Sequence, residues 1–144
     1  MSEYTAWGYV QSTFPIFHGI REVSTAGHGG ILVSEKLFKS MPEYAREYSY
    51  YGKDGKIGAF EEDCHWSIPF IIFADKIRES RKDKPEVHQK RLEGALQAAK
   101  DTAKAWCPKF YENFYGVTLK YGESYIKDEE IEHELTKDML QSVA

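Results

Sequence analysis

Between residues 85 and 106 apolar side chains return every three or four positions, at Leu92, Ala95, Leu96, Ala99, Ala103 and Trp106, while Lys90, Glu93, Gln97, Lys100 and Lys104 take the other faces. That period predicts a long amphipathic helix, opened by Pro85 and stopped by Pro108. Phe110, Tyr111, Phe114 and Tyr115 make a second, aromatic helical segment ahead of Gly116, a natural terminator. The stripe Trp106, Phe110, Phe114 reads as core. An acidic pattern over residues 128–141 sets Ile131, Leu135 and Met139 on one inward face of a C-terminal helix.

The first third of the chain follows a different period. Weak alternation over residues 4–10, then Phe14-Pro15-Ile16-Phe17, predicts two strands with a break at Pro15. Ile20 and Val23 extend β character to Thr25, and Ile31-Leu32-Val33 is a short, wholly apolar run of the kind found in buried strands. Ser34 and Pro42 are placed to start two short helices. Three glycines and Asp54-Gly55 make residues 50–58 a turn or hairpin. Residues 61–73 are ambiguous. Glu61-Glu62-Asp63 suits the first turn of a helix, but Pro69 interrupts it, and the run Ile68 to Phe73 is equally readable as a strand. Val117 to Lys120 reads as a last strand.

These elements make an α+β domain of 144 residues: a mostly antiparallel sheet from the N-terminal half and residues 117–120, covered by the long helix and the C-terminal helix. The formal net charge of -4 argues against broad binding to duplex nucleic acid, which is driven by neutralising phosphates. No apolar run approaches the roughly 20 residues that span a bilayer, so no membrane partner is expected. The N-terminus lacks a secretory pattern, which predicts a cytoplasmic protein. Cys64 and Cys107 are too few for a disulfide framework and are expected as thiols. Aromatic residues, at 15% with ten tyrosines and three tryptophans, suit a planar ligand, a protein partner or simply a core built of large side chains.

Candidate chemistry is densest in two segments. Ser24-Thr25-Ala26-Gly27-His28-Gly29-Gly30 is a glycine-rich bend with one histidine, and Phe60-Glu61-Glu62-Asp63-Cys64-His65-Trp66 sets three carboxylates beside a cysteine, a histidine and a tryptophan. Glycine amides approach an anion closely, Thr25 and His28 exchange hydrogen bonds, and Trp7, Tyr51 or Trp66 can stack on a base. The ligand-binding residues expected on this reading are Trp7, Thr25, His28, Gly29, Gly30, Tyr51, Glu61, Asp63 and Trp66. A metal reading would draw on His28, Glu61, Asp63, Cys64 and His65, but no ligand spacing is present and a third ligand is unnamed, so no metal, cofactor or catalytic residue is assigned. A Cys64 nucleophile is disfavoured by its neighbouring carboxylates. The plain architectural reading is that Glu61 or Asp63 caps the amides of the His28 bend and ties the two loops together.

The bend, with Met41-Pro42-Glu43, the 60–66 segment, Trp7-Gly8, the stretch from Trp106 to Glu112 and Gly122-Glu123-Ser124, resembles a phage- and mobile-element-associated family of unknown function. The likeness covers nearly the whole chain; Phe60 and the long 48–58 insertion depart from it. It implies a bacterial host cell as the setting. The expected function is then a non-enzymatic binding protein that counters host defence by sequestering a small nucleotide signal, as a homodimer or higher homo-oligomer. The alternatives are a direct inhibitor of a host defence protein, and a small hydrolase using His28 and the 61–65 cluster.

Overall fold

Every residue of one strand, Gly29–Val33, is buried, and the rest of the fold is layered around it. The computed structural model describes residues 3–142. In chain order it contains β1 (Tyr4–Thr5), β2 (Gly8–Tyr9), β3 (Ser12–Phe17), β4 (Ile20–Ser24), β5 (Gly29–Val33), α1 (Glu35–Ser40), α2 (Glu43–Arg46), β6 (Gly58–Glu61), α3 (Ser67–Ile72), α4 (Ala74–Ser80), α5 (Glu86–Trp106), α6 (Pro108–Tyr115) and α7 (Tyr125–Ser142). The α+β class expected from the two periodicities is the class observed. Strands β3, β4, β5 and β6 form an antiparallel sheet in that order, and β1 and β2 make a separate two-stranded ribbon.

Register explains how the sheet is buried on both sides. Ile20 pairs with Val33 and Ile31 with Phe60, so alternation sends these four side chains to one face. There they join Phe38, Ile68, Ile77, Leu92, Leu96, Ala99 and Phe110 in the main core. Val23, Leu32 and Ala59 point the other way and are covered by Trp7 and Val10 of the N-terminal segment. A strand covered on both faces reads as continuously apolar, which is what Ile31-Leu32-Val33 shows. Phe38, Phe60 and Phe110 are fully buried, each worth about 1.5–3 kcal/mol of transfer free energy.

Several expectations are corrected. Residues 4–10 are two short strands and a turn rather than one strand. Pro15 does not end β3, an edge strand that tolerates a missing amide donor, but the β3–β4 register shifts between Pro15 and Phe17. Glu61 ends strand β6 instead of opening a helix, and the ambiguous run beyond it is helix α3, with Pro69 in its first turn. β6 escapes sequence patterning because Gly58 and Ala59 have little intrinsic β preference; pairing with β5 makes it a strand.

Val117 to Lys120 is not a strand and the sheet ends at β6. The Val117 amide bonds the Glu112 carbonyl and the Leu119 amide bonds the Glu112 carboxylate at 2.7 Å, so this segment is satisfied by α6 and needs no sheet edge. Helix α5 buries Leu92, Leu96, Ala99 and Ala103 as expected, but Trp106 is 45% exposed and lies on Tyr125 of α7. Of the aromatic stripe only Phe110 is fully buried, because α6 starts in a new direction after Pro108. Helix α7 begins earlier than expected and has no buried residue; Leu135 and Met139, expected inward, are exposed.

Candidate functional site

The bend at residues 25–28 joins β4 to β5, and Thr25 holds it closed. The Thr25 amide donates to the His28 carbonyl at 2.8 Å, and the His28 amide donates to Thr25 Oγ1 at 3.2 Å. The Thr25 hydroxyl lies 2.6 Å from the His28 carbonyl and 3.0 Å from the Trp7 carbonyl, between which its one proton is shared. His28 itself is exposed. Among the described residues no hydrogen bond or ion pair joins its ring to Glu61, Glu62 or Asp63.

The acidic segment does run beside the bend, but for another reason than the capping expected from sequence. Gly30 pairs with Glu61 in the sheet, and the Glu62 amide donates to the Gly29 carbonyl at 3.0 Å. The Glu61 carboxylate turns back on its own segment. Oε2 accepts from the Asp63 amide at 2.6 Å, and Oε1 from the amides of Cys64 and His65 and from the Cys64 thiol at 3.3 Å. Partial burial works to raise its pKa, yet these donors outweigh it and hold the carboxyl below its ordinary value. Glu61 therefore shapes the 62–65 turn, not the His28 bend. Asp63 is exposed.

The expected aromatic partners are divided. Trp7 covers the sheet face of Val23, Leu32 and Ala59, whereas Trp66 packs against the main core on the opposite face, edge-on to Phe70. Gly30 separates them, and with Glu22, Ile31, Glu62, Trp66, Phe70 and Ala95 it lines a small cavity of about 280 Å³ on the helical side. Tyr51 is exposed on the turn after α2, edge-on to Tyr50. The structure thus brings Thr25, His28, Gly29, Gly30 and Trp7 together, sets Trp66 behind the sheet, and leaves Tyr51 to a different loop.

A larger concavity lies elsewhere, at the β3–β4 turn. An open cleft of about 810 Å³ is lined by Pro15, Ile16, Phe17, Ile57, Arg21 and Arg81, with His18, Ser34 and Lys84 also at its walls. A neighbouring cavity of about 540 Å³ shares Ile16, Arg81 and Lys84 and adds Phe14, His88 and Arg91. Arg81 Nη2 donates to the Ile16 carbonyl at 2.8 Å, which fixes the guanidinium between the two cavities. Arg21 is engaged by Glu3. Glu22 is the acidic residue among these walls. In the sequence the 75–85 segment reads as a solvated helix end plus linker; the signal available was the spacing of Arg81, Lys84 and Arg91, which crosses the start of α5.

A third grouping contains a residue that sequence reasoning did not connect with the acidic segment. Cys107, at the junction of α5 and α6, meets Cys64 and His65, the ligand atoms of all three lying within 4.8 Å of one another. Both cysteines are free thiols. Burial first, and then Glu61, push the Cys64 thiol up to about 11; burial, Cys64 and Glu61 push Cys107 up to about 12. The His65 ring is held edge-on by Tyr48 at 5.2 Å. No spacing rule links residues 64 and 107, so only the packing of α5 against α3 reveals the pair.

The model of the family described as Domain of unknown function (DUF7007) matches residues 1–137. The chain belongs to that family. The resemblance drawn from the bend and the 60–66 segment is confirmed as far as membership of a family of unknown function. No curated protein and no solved structure matches this DUF7007 chain. Among its described residues no helix is long and apolar enough to cross a membrane.

Proposed function

We propose that this protein is a non-enzymatic binder that sequesters a small nucleotide-like anion in the cleft at the β3–β4 turn. The observation that carries the reading is the placement of Arg81 and Lys84 between two apolar cavities of about 810 and 540 Å³. Apolar walls with a few convergent cations suit a ligand that has both a flat organic part and phosphates. Phe14 and Phe17 offer aromatic surface, while Arg81, Lys84 and Arg91 offer charge. The expected site at the His28 bend is recast on this reading as scaffold, since its Thr25 hydroxyl and His28 backbone groups bond one another.

The phage or mobile-element setting implied by the resemblance makes the ligand a signal of host defence. Calorimetry against cyclic dinucleotides and nucleoside triphosphates, with the bound molecule recovered after denaturation, tests the proposal. Stoichiometric binding with unchanged recovery is expected. Absence of binding across both classes, or recovery of a cleaved product, overturns it.

A further inference from the structure

We propose that Cys64, His65 and Cys107 form a binding site for a soft divalent metal ion, with zinc as the reference occupant. The three come from separate parts of the fold: Cys64 and His65 from the turn after β6, and Cys107 from the break between α5 and α6. Their ligand atoms all lie within 4.8 Å of one another. Two sulfurs and one imidazole nitrogen are a donor set that zinc takes, and two sulfurs at ~2.3 Å from one tetrahedral ion stand roughly 3.8 Å apart. The upper bound of 4.8 Å on the separation of the three ligand atoms is compatible with that spacing.

Three further observations point the same way. Glu61 binds the amides of Cys64 and His65, so both ligand-bearing residues are held in a fixed turn before any ion arrives. Tyr48 packs edge-on against the His65 ring and limits its rotation. A cavity of about 460 Å³, lined by Tyr48, Glu61 and His65 among others, opens on the His65 side of the group, where a solvent molecule would complete the coordination of a bound ion.

Binding is a substitution without redox change: two thiol protons leave to solvent as two metal–sulfur bonds form, and the imidazole donates its lone pair. The site is independent of the Arg81 cleft and stands or falls separately from the nucleotide proposal.

The test uses the full chain, reduced and stripped with a chelator, then titrated with zinc alone against a colorimetric competitor and read by native mass spectrometry. One zinc per chain is expected, with both thiols protected from alkylation until chelator is restored. Cobalt in its place is expected to give sulfur-to-metal charge-transfer absorption. His65→Ala, at a half-buried position, is expected to weaken zinc at least tenfold, and Cys64→Ser more. Circular dichroism of each variant establishes that it is folded, and His65→Ala carries the decision if Cys107→Ser does not fold. Retention of no zinc, equal affinity in His65→Ala, or recovery of the two cysteines as a disulfide that excludes zinc overturns the proposal.

Discussion

The indole of Trp7 lies so close to Gly30 that a Cβ at that glycine would come within 2.6 Å of the ring and 2.3 Å of the Phe60 carbonyl oxygen. Gly30 is therefore required by packing on one side and by the β5–β6 ladder on the other. The glycine pair that reads in sequence as an anion cradle is, in the fold, the place where Trp7 meets the sheet. Gly30→Ala is expected to destabilise by about 2 kcal/mol or more, in the range of overpacked cores. Gly27→Ala, where a Cβ meets nothing within 4 Å, is expected to stay within about 0.5 kcal/mol of wild type. Urea melts of the two variants check this, and equal effects would contradict the packing account.

Charge reversal in the cleft should separate binding from folding. Lys84 is exposed and lines both cavities, so Lys84→Glu is expected to leave the melting temperature close to wild type. The same change is expected to weaken the nucleotide by at least about tenfold, or roughly 1.4 kcal/mol. Titrations at two salt concentrations provide the check, because an electrostatic contribution from an exposed cation must shrink as salt rises.

Glu112 is expected to matter more than a surface acid. Its carboxylate accepts from the Leu119 amide at 2.7 Å and pairs with Lys127 at 3.2 Å, where both side chains are at most 25% exposed. It thereby joins α6, the 117–119 segment and α7. Glu112→Ala leaves a partly buried amide and an ammonium without their partner and is expected to cost about 1–3 kcal/mol. Faster hydrogen exchange at Leu119, with α5 unchanged, is the distinguishing readout.

The bridge from α4 to α5 should be acid-sensitive. Arg78 binds Glu93 through Nε and Nη2, both at 3.0 Å, and this bond holds the Glu93 carboxyl below its usual value. A folded pKa below the unfolded value of about 4.3 makes a contribution that is present above that pH and is lost as pH falls through the lower, folded value. Both side chains are about half exposed, so it is worth no more than about 1 kcal/mol. Arg78→Ala is accordingly expected to lower the melting temperature slightly at pH 7 and by progressively less as pH falls below the unfolded value; an equal difference throughout would show that the bridge does not act through charge.

Local chemistry makes several elements legible from sequence. The long helix is visible because Leu92, Leu96, Ala99 and Ala103 repeat at 3.6 residues and two prolines frame them. The end of α6 is visible because Gly116 adopts φ of 66°, a conformation glycine takes at little cost. β5 is visible because a strand buried on both faces has no polar positions to alternate.

What sequence could not reach depends on contacts between distant residues. β6 is a strand because β5 offers it a ladder, and residues 117–120 are not one because Glu112 binds the Val117 and Leu119 amides and Glu123 the Lys120 amide. Trp7 and Trp66 are close to the same glycine in sequence logic but lie on opposite faces of the sheet, and alternation along β5 decides which. The bend, the acidic segment and the family resemblance were all written in the order of residues. The meeting of Cys107 with Cys64 and His65, and of Arg81 with the β3–β4 turn, was decided only when α5 packed on α3 and α4 on β3, because no local period encodes the proximity of groups brought together by a shared core.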